Sequence, residues 1–129
     1  MISAAGRLVS VGKRFEVAIA HRLPNYAGKC RELHGHNLTI EVEVTGKVHP
    51  VDGSSDEGLV IDFAELKRVF KERVEGKLDH HFINETIDVP VTSSEMLAVW
   101  IYEQLAEVLP VNRVRVWETG SAYAEYWGE

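Results

Sequence analysis

The sequence holds a single cysteine, Cys30, and only four prolines, and in no stretch do proline, glycine and serine gather into a linker. A lone thiol forms no internal disulfide, so oxidative cross-linking is excluded as a source of stability. With no linker and no internal repeat, residues 1–129 read as one domain of a size that can bury its own core. Long apolar runs are also missing, and none approaches the roughly 20 residues that cross a bilayer. The start, Met1 to Lys13, lacks an apolar stretch followed by a small-residue cleavage site, so the expected location is the cytoplasm. Positive charge is scarce: Lys and Arg number 14 against 20 Asp and Glu, for a net charge of −6. That balance argues against nucleic acid and anionic membrane as partners, since both require clustered cations. An anionic small molecule stays compatible, because a bound divalent cation can make one pocket locally positive.

What is present is a clear alternation. Phe15, Val17, Ile19 and His21 fall on one side of a strand, and a second strand, roughly His36 to Lys47, puts Leu38, Ile40, Val42 and Val44 on one face. Stepping back by twos from Leu38 reaches His36 and His34, so all three histidines extend the apolar faces of two strands that can pair antiparallel. Asp62, with Glu65 three residues on, predicts a helix start. Its apolar positions are Phe63, Leu66, Val69, Phe70 and Val74, until Gly76 interrupts the pattern. A capping box at Thr92-Ser93-Ser94-Glu95 opens a second helix, carrying Met96, Leu97, Trp100, Ile101, Leu105 and Val108 and stopped by Pro110. Val114, Val116 and Tyr123 to Trp127 then suggest two closing strands, for the order β-β-α-α-β-β of an α+β fold.

His34-Gly35-His36 is the sharpest local feature, because residues two apart on a strand aim at one point and imidazole is a favoured zinc ligand. With His21 as third arm, one tetrahedral position stays open, the pattern of a catalytic zinc site. The alternative is three core histidines satisfied by hydrogen bonds. Cys30, in the loop before His34, is either a base or nucleophile favoured as thiolate near a cation, or a small buried apolar residue. Asp79-His80-His81 offers a carboxylate that can orient an imidazole for acid–base work, or simply a polar loop. Glu118, after the strand Val114 to Trp117, either grips two adjacent N–H donors or is an exposed strand-end carboxylate.

Taken together, these pieces resemble the 6-pyruvoyltetrahydropterin synthase / 6-carboxytetrahydropterin synthase family from about Phe15 to Glu129. The resemblance rests on an ordered set: Ala20-His21-Arg22-Leu23, Cys30-Arg31-Glu32-Leu33-His34-Gly35-His36, Val60-Ile61-Asp62-Phe63, Leu78-Asp79-His80-His81, Ser93-Ser94-Glu95, Glu118-Thr119 and Tyr126-Trp127-Gly128-Glu129. It implies zinc on His21, His34 and His36, Cys30 as proton-abstracting base, Asp79 with His80 as a relay pair, and Glu118 as pterin anchor near Ser93 and Ser94. It also implies a tunnelling fold, an antiparallel sheet with two helices on one face. In that fold subunits join their sheets into a barrel, commonly a dimer of trimers, with active sites between chains.

Three residues separate Cys30 from His34, which looks like the bacterial and archaeal 6-carboxytetrahydropterin synthases. The implied reaction converts 7,8-dihydroneopterin triphosphate to 6-carboxy-5,6,7,8-tetrahydropterin with loss of acetaldehyde and triphosphate, on the route to queuosine or archaeosine. Competing expectations are pyruvoyl-tetrahydropterin synthesis, aldol cleavage of dihydroneopterin, and a non-catalytic zinc- or pterin-binding protein. Two departures from the family pattern stand out: extra residues around Ser54 to Glu57, and Thr92-Ser93 where Pro-Thr is common.

Overall fold

The alternating segments form two long strands, β1 (Leu8–His21) and β2 (His34–Lys47), in the computed structural model, which describes residues 1–129. They pair antiparallel without interruption from Leu8↔Lys47 to His21↔His34. β1 therefore begins well before Phe15, and β2 takes in His34 and Gly35 ahead of His36. In the added stretch Leu8, Ser10, Gly12 and Arg14 are exposed, and Lys13 separates Val9 and Val11 from the apolar row that starts at Phe15; pairing with β2 makes the whole stretch a strand.

Asp62 caps α1 (Phe63–Phe70), its carboxylate accepting the Ala64 N–H at 2.8 Å. Gly76 does not end this helix. The backbone stays helical through a π-helical stretch, Lys71–Glu75, into a last turn, Gly76–Leu78, which keeps Val74 and Leu78 fully buried. Phe63, expected in the core, is 47% exposed, because it opens the first turn on the helix's outer side. The chain then makes a two-residue strand, β3 (His81–Phe82), and a single turn, α2 (Ile83–Thr86). α3 (Ser94–Ala106) is capped by Ser93, not Thr92: the Ser93 hydroxyl accepts the Met96 N–H at 3.2 Å. It ends at Ala106, before Pro110, and Met96 and Val108 lie at the surface while Leu97, Ile101 and Leu105 pack inward.

β4 (Val111–Trp117) joins β2 and β5 (Tyr123–Tyr126) joins β4, both antiparallel, for the sheet order β3-β1-β2-β4-β5. β3 is the addition to the expected order. It lies parallel to β1 through Ile19↔His81 and Ala20↔Phe82, a pairing too short to leave a periodic signal. One face of the sheet carries the core: Leu38, Ile40, Val42, Val44, Val114 and Val116 are at most 1% exposed and meet the inward rows of α1 and α3. Phe70 stacks on Phe15 at 3.9 Å and 5°, tying α1 to β1 with about 0.5–1.5 kcal/mol beyond simple area burial. No helix is long and apolar enough to cross a membrane.

Candidate metal centre and active site

The apolar rows of three strands run out at the same end of the sheet, and polar side chains continue them. Along β1 the row Phe15, Val17, Ile19 ends in His21; along β2 the row from Val44 back to Leu38 ends in His36 and His34. Since His21 pairs with His34 and Ile19 with His36, the period of two brings all three rings to one point. Ring centroids lie 4.6, 5.2 and 4.8 Å apart, and one ligand nitrogen from each ring falls within 4.8 Å of the others.

The hydrogen bonds around these rings decide which nitrogen is free. His21 Nδ1 sits 2.8 Å from the Thr92 carbonyl and His34 Nδ1 2.7 Å from the Glu32 carbonyl. A carbonyl only accepts, so both Nδ1 atoms carry the proton and both Nε2 lone pairs stay open. The Nε2 atoms of His21, His34 and His36 are all buried without a hydrogen-bond partner. Buried polar atoms seldom stay unpaired, and three converging imidazole nitrogens suit a zinc ion, for which nitrogen is a preferred donor. Burial holds the His21 pKa below its usual 6.5; the Thr92 hydrogen bond opposes this, His34 and His36 add to it, and Glu118 opposes it. The ring is thus neutral at pH 7, the form that binds metal.

Glu118 continues the third row, after Val114 and Val116 of β4, and its carboxylate leans over the triad. Oε1 lies 3.2 Å from His36 Nε2 and 3.8 Å from His21 Nε2, without a hydrogen bond to either. Register explains the approach: Thr39 pairs antiparallel with Trp117, so the chain leaving β4 at Glu118 heads along β2 toward His36. Glu118 also borders a cleft of about 480 Å³ with Ser94, Glu95, Tyr123 and Tyr126, within the usual range for small-molecule sites. A second cleft of about 310 Å³ opens between Arg14, Asn37, Thr39 and Trp117; the three histidines line neither cleft, and Glu118 is what joins the first to the triad.

Cys30 occupies a 3-10 turn, Lys29–Arg31, in the loop between β1 and β2, and its carbonyl accepts the Leu23 N–H at 2.7 Å. Gly28 precedes the turn because Tyr26 closes over it: a Cβ there would fall 2.6 Å from the Tyr26 ring. Asp79 and His80 reach the outer edge of β1. Asp79 Oδ1 accepts the Ala18 N–H at 2.9 Å, and the His80 N–H is donated to the Ala18 carbonyl at 2.7 Å. His80 adopts φ 59°, left-handed backbone that a β-carbon disfavours, and its ring is 82% exposed, 3.6 Å from Asp79 Oδ2. Of the two serines, Ser93 spends its hydroxyl on the helix cap, while Ser94 lines the cleft with Glu118. The structure thus gathers His21, His34, His36 and Glu118 at one point, with Ser94 nearby, and holds Asp79-His80 at the sheet edge. The sequence gives no sign of Asn84, which bonds the backbone just after His21, and marks Thr92 as a helix cap and a departure from Pro-Thr, not as the partner of His21. Neither carries a periodic signal; a Thr directly ahead of a capping Ser was the sole hint.

The family model described as 6-pyruvoyl tetrahydropterin synthase matches residues 10–129. The chain is 37% identical over 117 residues to the 6-carboxy-5,6,7,8-tetrahydropterin synthase of Synechocystis sp., covering 89% of this chain and 90% of that one. It is 33% identical over 139 residues to the human 6-pyruvoyl tetrahydrobiopterin synthase, with 92% and 91% covered. Among solved structures, the 6-pyruvoyl tetrahydropterin synthase of Caenorhabditis elegans superposes with a TM-score of 0.83 at 26% identity, covering 97% of this chain and 99% of that one. From β1 to the last residue, the chain belongs to the 6-pyruvoyl tetrahydropterin synthase family.

Proposed function

We propose that the chain is a zinc-dependent 6-carboxytetrahydropterin synthase-like carbon–carbon lyase acting as a single domain. Its substrates are 7,8-dihydroneopterin triphosphate and one water; its products are 6-carboxy-5,6,7,8-tetrahydropterin, acetaldehyde and triphosphate, in 7-deazaguanine biosynthesis. The observation that carries this reading is the convergence of three unpartnered imidazole nitrogens beside the Glu118 carboxylate at the edge of a cleft. The three-residue gap between Cys30 and His34 and the identity to the Synechocystis enzyme favour the carboxy product. Likeness to the C. elegans and human pyruvoyl enzymes favours a second reading, pyruvoyl-tetrahydropterin synthesis at the same site.

In this reading His21, His34 and His36 hold zinc, which when bound supplies Lewis acidity toward the substrate's side-chain hydroxyls. Glu118 accepts two adjacent N–H groups of the pterin, and Ser93 and Ser94 border the ring at the start of α3. Cys30 takes a proton from the substrate side chain, and Asp79 orients His80 to pass protons on. The His80 ring, 82% exposed, is open to a neighbouring subunit, which in this reading covers it. The sheet suits such assembly into a homo-oligomer, a dimer of trimers: β5 is an edge, and β1 has β3 beside it only at Ile19 and Ala20.

Incubating zinc-loaded protein with 7,8-dihydroneopterin triphosphate is expected to yield 6-carboxytetrahydropterin and acetaldehyde by mass analysis. The pyruvoyl product would favour the second reading, and unchanged substrate would reject both. Glu118→Ala is expected to weaken pterin binding about 10- to 100-fold, the loss of a charge-assisted hydrogen-bond pair, with zinc content intact. Fluorescence titration with a pterin checks this. Unchanged affinity removes the anchor role, and a parallel fall in zinc would show that the carboxylate serves the metal.

A further inference from the structure

β1 leaves its ladder at His21, yet the next peptide is still held as if a strand lay beside it. Asn84 Oδ1 accepts the Arg22 N–H at 3.0 Å, and Asn84 Nδ2 donates to the Arg22 carbonyl at 2.9 Å. The carboxamide thus imitates a peptide unit and adds one rung to β1 on the side where β3 pairs with Ala20. Thr92, 2% exposed, closes the arrangement. Its hydroxyl lies 3.3 Å from both the Arg22 carbonyl and Asn84 Oδ1, and its own carbonyl accepts from His21 Nδ1. His21 is therefore fixed twice: through the backbone that follows it, by Asn84, and through its ring, by Thr92.

We propose that Asn84, together with Thr92, is a positioning residue for the metal centre, setting the tautomer and direction of His21 by clamping the Arg22 peptide and the Thr92 carbonyl into one network. The inference rests on the reading of His21, His34 and His36 as zinc ligands. A metal-ligating imidazole whose other nitrogen is bonded to a fixed acceptor binds more tightly, and loss of such outer partners typically weakens metal affinity 10- to 100-fold. A plain loop brace would lower thermal stability but leave the metal site unaltered. The same stretch of chain carries Asp79, which bonds Ala18 on the same edge of β1. Residues 79 to 92 accordingly seat both the relay pair and the ligand His21.

The test compares wild type, Asn84→Ala, Thr92→Val and Thr92→Ser. Zinc affinity is read by competition with a chromophoric chelator, and the visible spectrum is recorded at saturating Co²⁺. Asn84→Ala is expected to bind zinc about 10- to 100-fold more weakly and to shift the cobalt bands, because the His21 ring is freed to turn. Thr92→Val keeps the carbonyl and loses only the hydroxyl, so it should fall between, and Thr92→Ser should restore wild-type affinity and spectrum. Folded Asn84→Ala with wild-type affinity and an unchanged cobalt spectrum would overturn the inference. Should Asn84→Ala fail to fold by circular dichroism, Thr92→Val decides, and wild-type behaviour there overturns the inference equally. Wild type that binds no zinc would remove the ligand assignment and this inference with it, whereas binding by wild type and variants alike removes the inference alone.

Discussion

His34→Ala or His36→Ala is expected to abolish stoichiometric zinc binding and lower turnover by at least about 100-fold, the usual cost of removing one group that stabilises transition-state charge. His34 is the cleaner probe. It is only partly buried, its one hydrogen bond is to the nearby Glu32 carbonyl, and its removal leaves the β2 ladder in place. His21 is 2% exposed, so truncating it would also open a cavity and strand the Thr92 carbonyl, mixing a folding cost with the metal loss. The fold should survive in the His34 variant, because the packed core between sheet and helices does not include the triad. Elemental analysis measures the zinc, and thermal denaturation adds an independent check. Zinc should raise the melting temperature of wild type, since it binds only the folded state, and leave that of His34→Ala unmoved. Full zinc occupancy in His34→Ala would show that the ion sits elsewhere.

The second large effect is the recovery of activity in mixed oligomers. Cys30→Ala and His80→Ala are each expected to be nearly inactive alone, because every site then lacks one proton-handling group. His80 is 82% exposed at the outer edge of β1, touches only Asp79 among ionisable partners, and holds a left-handed backbone that Ala18 helps to fix. Such an outward-facing imidazole suits service to a neighbouring chain. If the Cys30 of one subunit meets the His80 of another, random assembly of the two variants leaves about one quarter of the sites with both groups intact. If one chain supplied both, no site would be intact. Co-expression with distinct tags and purification of the doubly tagged species gives the material to assay. Turnover near a quarter of wild type supports the shared site, and a verified mixed oligomer as inactive as its parents would exclude it.

The three histidines were legible because period-two alternation is local: once Ile19 and Leu38 are placed inward, His21, His34 and His36 must follow. The Asp62 cap was legible for the same reason, since cap and first turn lie within a few residues. Errors arose where neighbours distant in sequence decide. Gly76 reads as a helix break, yet the burial of Val74 and Leu78 carries the helix through it. Phe63 and Met96 fit a helical apolar pattern, but both open their helices at the surface, and packing of the sheet against Leu66, Phe70, Leu97 and Ile101 sets which side turns inward.

By itself, then, the sequence determined strands β1, β2, β4 and β5, their inward rows, the Asp62 helix start and the candidate ligands, because each follows from side-chain period or from bonds within one turn. Only the tertiary structure decided the rest. Asp79 is bound to Ala18 across 61 residues, Asn84 to Arg22 across 62, and His21 to Thr92 across 71. Glu118 meets the triad because β4 lies beside β2 in a particular register. Such contacts leave no periodic trace: a single polar side chain bonds a backbone group far along the chain, and only closure of the sheet edge and docking of the α3 N-terminus bring the two within hydrogen-bond reach.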